Sequence, residues 1–247
     1  MIEQTFSIHD YIKVQAEPAR EVGWPLPSPF TLRFGRKKLS ANQKATIIGS
    51  GIYFISQGAE VVYLGKFRPS NKCIVRERWE RHLQTITGRG ISIGLGGKDN
   101  PAARLAQYLD AIEAPGLRLA IQAAYDYSLS DRFRPTGCST TPNRLRFASE
   151  NWDALSPAQG SEILSGLTFW FMRIQPPASQ EIASKQVENI ETRILANLKP
   201  LCNDQYDHSK HRGLRGKNTA SEITRAVRDA ATAETHADIT DRIQLAG

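Results

Sequence analysis

The sequence predicts a mixed α/β (α+β) fold, a small three-stranded antiparallel sheet flanked by helices, with a helical insertion and extensions at both ends. Three observations predict it. Gly51 to Ser56 and Glu60 to Leu64 are short β-branched and aromatic runs joined by Gln57-Gly58, the pattern of a β-hairpin. Leu167 to Ile174 is a near-continuous apolar run bounded by Gly166 and Pro176, which reads as a central strand completing the sheet with that hairpin. Apolar residues at helical spacing follow each of these runs.

In chain order, residues 1–45 form a basic N-terminal extension, too short for a core of its own, that lies on the remaining chain or embraces a polyanion. It holds a short helix around His9 to Gln15, a Pro-rich connection from Pro25 to Pro29, and then an acid-free run with Arg33, Arg36, Lys37, Lys38 and Lys44. In the hairpin, period-two alternation puts Ile52 and Phe54 on one face and Tyr53 and Ile55 on the other. Tyr53 and Tyr63 can share a face, with the register left to the turn geometry. A helix follows from about Ser70 to Thr87, capped by Ser70 or Asn71. Val75, Trp79 and Leu83 make its apolar stripe, and Arg78 and His82, four apart, share the face beside it.

Residues 46–203 read as one domain with an insertion at about 88–160. Gly94, Gly96 and Gly97 lack both the leading strand and the spacing of a nucleotide-binding loop. A helix starts at Asp99-Asn100-Pro101 with Leu105, Leu109 and Ile112 on one face, and a second covers Leu117 to Tyr127 beyond the Pro115-Gly116 pair. Arg132 to Asn151 reads as a loop, and the insertion as a whole reads as a recognition element or as a stabilising subdomain. A helix from about Ser179 to Lys199, ended by Pro200, buries Val187, Ile190, Ile194, Leu195 and Leu198. Glu191 falls within or beside that face, where a carboxylate needs either an arginine partner or a divalent metal. The tail, residues 204–247, opens with a basic loop bearing His208 and His211 and continues as an amphipathic helix from Ser221 to Ala233, capped by Ser221.

Composition narrows the class. The chain has 247 residues, 40% of them hydrophobic, which suits a folded core. No apolar run approaches the ~20 residues that span a bilayer, and Met1-Ile2-Glu3-Gln4 is not a basic-then-apolar leader, so a cytoplasmic protein without a membrane partner is expected. Cys73, Cys138 and Cys202 are odd in number and far apart, so neither a disulfide framework nor a structural zinc site is expected. The net charge of +7 and pI near 9.4 favour a polyanionic partner. The basic residues fall in three clusters: Arg36, Lys37 and Lys38; Arg132, Arg134, Arg144 and Arg146; and Lys210, Arg212, Arg215 and Lys217. Singly each is an ordinary solvated loop; together they read as a groove tracking a phosphate backbone.

Gly51-Ile52-Tyr53 and Tyr63-Leu64-Gly65, followed by Arg78 and His82 one helical turn apart, resemble the motifs of the GIY-YIG nuclease superfamily. The resemblance extends to Glu191 on the later helix and to Asn203 in Lys199-Pro200-Leu201-Cys202-Asn203, and covers residues 48–87 and 165–203. It implies a GIY-YIG-like core and a DNA endonuclease dependent on Mg²⁺, with Mn²⁺ able to substitute, most like a stand-alone type II restriction enzyme. Double-stranded DNA is the implied substrate and a homodimer the implied assembly. Glu191 would hold the metal. Arg78 would clamp the phosphate, and Lys66 joins Arg78 and the metal as a charge able to lower the pKa of a tyrosine. The resemblance makes Tyr53 the group that activates water, with Tyr63 and His82 aligning or relaying protons, while the ordinary pKa values favour His82 as base. Asn203 would orient the Glu191 region. Two other readings stay open: a noncatalytic nucleic-acid-binding protein on the same scaffold, and a nuclease acting on RNA, on single strands or in repair.

Overall fold

The computed structural model describes residues 2–18, 30–68, 74–88, 94–95, 101–128, 139–153, 166–174, 180–203 and 218–245. Its strands are β1 (Ile2–Ser7), β2 (Ile12–Pro18), β3 (Phe30–Arg36), β4 (Gly51–Gln57), β5 (Glu60–Phe67), β6 (Gly94–Leu95), β7 (Ser139–Thr140) and β8 (Leu167–Arg173). Its helices are α1 (Ile8–Tyr11), α2 (Ala41–Thr46), α3 (Arg76–Ile86), α4 (Pro101–Asp110), α5 (Pro115–Ser128), α6 (Pro142–Glu150), α7 (Gln180–Asn197) and α8 (Ala220–Leu245).

The apolar run of β8 has two backbone edges to satisfy. The β4–β5 hairpin covers one, as expected, and β1 covers the other, pairing from Ile2 opposite Arg173 to Ser7 opposite Thr168. The main sheet is therefore four-stranded, in the order β1-β8-β4-β5 with antiparallel neighbours, and not three-stranded. The N-terminal extension supplies that fourth strand. The helix expected around His9 to Gln15 shrinks to the four residues of α1, because Ile12-Lys13-Val14-Gln15-Ala16 alternates with period two and pairs with β3 as a second, two-stranded sheet. The Pro25 to Pro29 connection lies outside the described residues.

Alternation sorts the main sheet into two buried faces. Ile52, Phe54, Val61, Leu64 and Met172 pack against Val187, Ile190 and Ile194 of α7 and Ile223 and Val227 of α8. Tyr53, Ile55, Val62, Phe67, Phe169 and Phe171 face the Val75-Trp79-Leu83 stripe of α3. Trp79 stacks on Phe169 with ring centroids 4.6 Å apart. Gly51 has no room for a side chain, since a Cβ there would run into the Met172 carbonyl oxygen and the Phe171 ring.

Several helix boundaries differ from expectation for identifiable reasons. Helix α3 starts at Arg76 behind Val75, whose side chain makes no cap hydrogen bond, while Ser70 and Asn71 lie outside the described residues. The Pro115-Gly116 pair is the first turn of α5 and not a separator, because proline at the first position forgoes only an N–H that has no intrahelical acceptor. Helix α6 occupies part of the stretch read as a loop: Thr141 accepts a hydrogen bond from the Arg144 N–H and Pro142 opens the helix. Thr219, not Ser221, caps α8, its hydroxyl accepting from the Glu222 N–H at 3.3 Å while Glu222 Oε2 accepts from the Thr219 N–H at 2.7 Å.

Within the insertion, Tyr108, Ile112, Leu117, Ile121, Leu145 and Ala148 from α4, α5 and α6 form a small core. Gly94 lies in a two-residue strand parallel to β7, and Gly96 and Gly97 lie outside the described residues. Among the described residues no helix is long and apolar enough to cross a membrane. Trp79→Ala, which empties the space between α3 and β8, is expected to lower stability by about 3–5 kcal/mol in denaturant unfolding.

Candidate active site

Tyr53 stands directly opposite Gly65 in the β4–β5 ladder. A Cβ on Gly65 would come within 2.8 Å of the Tyr53 hydroxyl and 3.1 Å of the Tyr63 ring. The missing side chain therefore lets the Tyr53 ring lean across β5 toward Tyr63, two residues along. The tyrosine centroids are 6.0 Å apart, so the two share a face as diagonal cross-strand neighbours. On that face α3 presents His82. Its imidazole lies 4.1 Å from the Tyr63 ring centroid, and its Nε2 is 2.6 Å from the Tyr53 hydroxyl oxygen. The direction of that hydrogen bond follows the tautomer: the hydroxyl donates to a bare Nε2, or Nε2–H donates to the hydroxyl.

The environment keeps both partners neutral. Burial, followed by Tyr63, pushes the Tyr53 phenol well above its ordinary 10.0, against the opposing pull of Arg78. Burial and then the positive charges of Arg144, Arg78 and Arg81 hold the His82 imidazole well below 6.5. Nδ1 of His82 is enclosed and makes no hydrogen bond among the described residues. Arg78 itself is exposed on α3, beside the pair whose charges it influences.

Glu191 and Asn203 reach this place along the outer edge of β5. The Asn203 carboxamide oxygen accepts from the Leu64 N–H at 2.9 Å and its amide donates to the Leu64 carbonyl at 2.6 Å. Two residues on, the Lys66 N–H donates to Glu191 Oε1 at 3.1 Å. Asn203 thus holds Leu64, the central residue of the Tyr63-Leu64-Gly65 triplet, two residues before the Lys66 N–H that binds Glu191. Glu191 is buried at 8% exposure, and its Oε2 lies 2.8 Å from Lys66 Nζ. The same ammonium is 3.0 Å from Glu188 Oε1, which also meets Arg68 Nη2 at 2.6 Å. Burial alone would lower the Lys66 pKa; the hydrogen bonds to Glu191 and Glu188 outweigh it and raise it. Lys66 is thereby committed to carboxylates. The arginine or metal expected to compensate Glu191 is matched, in part, by this lysine.

Other expected site residues are placed differently. Arg36 is exposed but engaged by Glu80 at 2.7 Å and Glu77 at 3.6 Å. Lys37 and Lys38 are exposed, and Arg146 is half-buried on α6. Arg144 departs from the solvated groove expected of it: it is 8% exposed, and its guanidinium carbon is 5.4 Å from the Tyr63 ring centroid. Arg132, Arg134, Lys210, Arg212, Arg215 and Lys217 lie outside the described residues. Thr85 and Asn143, not singled out from sequence, bind Arg144 and the Asn203 carbonyl respectively. Among the described residues no three His, Cys, Asp or Glu side chains converge as a ready metal cluster. Compared with protein-family models, curated proteins and solved structures, the chain finds no match.

Asn203→Ala strips both partners from buried Leu64 and is expected to cost about 1–3 kcal/mol for each lost partner, with faster hydrogen exchange at the Leu64 amide as the local readout. The sign of the His82 effect is also fixed. Its folded pKa lies below the ordinary 6.5, so the unfolded chain takes up the proton first and stability falls as pH drops below about 6.5. His82→Gln is expected to flatten that fall between about pH 6.5 and the folded pKa, measured by chemical denaturation.

Proposed function

We propose that the chain is a divalent-metal-dependent DNA endonuclease of the GIY-YIG kind, cutting double-stranded DNA at specific sequences as a homodimeric restriction enzyme. The observation that carries this reading is the 2.6 Å hydrogen bond between Tyr53 and His82, made beside Tyr63 and Arg78 and within reach of the Glu191 charge. Three residues of the motif set, Tyr53, Tyr63 and His82, touch one another, which supports the reading.

The donor set suits a hard cation. Mg²⁺ keeps several waters and takes one or two carboxylates, and Glu191 offers one carboxylate whose side chain is 11% exposed at its Lys66 contact. Glu191 would hold the ion, with the Lys66 ammonium shifting onto Glu188. When bound, Mg²⁺ supplies charge that stabilises the phosphate oxygens and the leaving 3′ oxygen.

The residues divide the remaining work. Arg78 offers a planar, permanently charged guanidinium to two nonbridging oxygens. A phenol held above pH 10 is no base by itself, so Tyr53 passes its proton on as it receives one. A proton leaves the attacking water for the Tyr53 oxygen while the phenolic proton moves to His82 Nε2, leaving hydroxide character on the water and an imidazolium on α3. The low pKa of His82 keeps the ring neutral at rest, and in its Nδ1–H tautomer Nε2 is open for that proton. Binding of the phosphate offsets the Arg78 charge that depresses the imidazole, so His82 gains basicity when substrate is present. Tyr63, packed on His82, holds the ring in line. The net charge of +7 supports a phosphate-backbone partner.

The test is cleavage of unmethylated plasmid and phage DNA with Mg²⁺ and with EDTA. Discrete fragments lost in EDTA and in Glu191→Ala, with DNA binding retained by that variant, are the expected result. Tyr53→Phe is expected to lower the single-turnover rate by about 100-fold or more. Salt-sensitive binding without cutting would move the chain to a noncatalytic nucleic-acid-binding role.

A further inference from the structure

We propose that Arg144, supplied by helix α6 of the insertion, is a positioning residue of the reaction site: its guanidinium clamps the Tyr63–His82 ring pair to the turn that carries Asn203. The chemical meaning of that clamp rests on the nuclease reading; its geometry does not.

Three segments of the site meet at this one side chain. Nη1 donates to the Thr85 hydroxyl at 3.0 Å, and Thr85 lies on the turn of α3 that follows His82, its own hydroxyl directed to the His82 carbonyl at 3.1 Å. Nε donates to the Cys202 carbonyl at 3.4 Å, one residue before Asn203. The guanidinium carbon lies 5.4 Å from the centroid of Tyr63, within cation–π range. The neighbouring residue strengthens the same joint, since the Asn143 amide donates to the Asn203 carbonyl at 3.0 Å. A flat fork with several fixed donors can serve these directions at once, and a lysine ammonium cannot.

Arg144 also sets the charge that His82 experiences. The groups facing the imidazole are Tyr53 from β4, Tyr63 from β5, Arg78 and Arg81 from α3, and Arg144 from α6. Arg144 is the largest of the charges that hold the imidazole neutral. The insertion therefore walls the site and does not stand apart from it.

The decisive measurement is the NMR titration of His82 in the full chain, its resonance assigned by loss in His82→Gln, for wild type, Arg144→Met and Arg144→Lys. Arg144→Met is expected to raise the titration midpoint and to lower Mg²⁺-dependent DNA cleavage by about 100-fold. Arg144→Lys keeps a positive charge, so its midpoint is expected to stay lower than that of Arg144→Met, while cleavage still drops by about tenfold or more because the fork is lost. An unchanged midpoint in folded Arg144→Met would overturn the proposal. Should Arg144→Met not fold, Thr85→Val, which removes one anchor and keeps the arginine, is read instead: an upward midpoint supports the clamp and an unchanged one overturns it. The titration needs no substrate, so a shifted midpoint in a chain that never cuts DNA would sink the nuclease reading and leave the clamp standing.

Discussion

The outer edge of β5 is the constraint on which the rest of the structure depends. As the last strand of the β1-β8-β4-β5 sheet, it turns a row of backbone groups away from β4. Such a row, left open, is a template for unwanted strand pairing. Here separate segments close it. The Val61 N–H donates to the Asn218 carbonyl at 2.8 Å, and the Val62 carbonyl accepts from the Cys202 N–H at 2.8 Å. Leu64 is served at both its groups by the Asn203 side chain, and the Lys66 N–H by Glu191. Closing the edge and assembling the candidate site are one event. Glu191 and Asn203, which cap the strand at Lys66 and Leu64, are 125 and 139 residues away from them in the chain.

Within that frame, two glycines decide how closely aromatic groups approach. Gly51 lets β4 lie tight against β8, and Gly65 leaves the space across which the Tyr53 ring reaches Tyr63 and His82. The resulting cluster has a buried Tyr53, half-buried Tyr63 and His82, and positive charge from Arg144, Arg78 and Arg81 around it. Burial raises the phenol and lowers the imidazole, so the resting pair is a neutral phenol against a neutral imidazole. Lys66, bound to Glu191 and Glu188, has its charge directed at carboxylates and not at Tyr53.

Three helices of the insertion share a small core of their own, yet α6 faces two ways. Leu145 and Ala148 join that core, while Phe147 joins the core beneath the main sheet and Asn143 and Arg144 reach the Asn203 turn. A helix with such divided contacts couples the stability of the insertion to the shape of the site. This geometry favours a supporting role for α6 over a freestanding recognition module.

Local pattern carried much of this protein. Alternation in Gly51 to Leu64 identified the hairpin and its two faces, the four-residue spacing of Val75, Trp79 and Leu83 identified the buried stripe of α3, and the apolar run from Leu167 marked the central strand. The resemblance of its motifs to a nuclease family singled out Tyr53, Tyr63, His82, Glu191 and Asn203; in the fold Tyr53, Tyr63 and His82 touch one another, while Asn203 and Glu191 bind the backbone of β5. Other features depended on partners distant in the chain and so had no local signature. The pairing of β1 with β8 reflects an edge that only the assembled sheet exposes. Helix α6 had its signal in Thr141-Pro142, but the surrounding Ser, Thr, Pro and Arg masked it. The burial of Arg144 and the commitment of Lys66 to two carboxylates were beyond any reading of charge runs. Side-chain type and spacing determine which groups are available to a site, whereas the surroundings of each charge, and hence its ionisation and its use, are set by segments that meet only when the chain has folded.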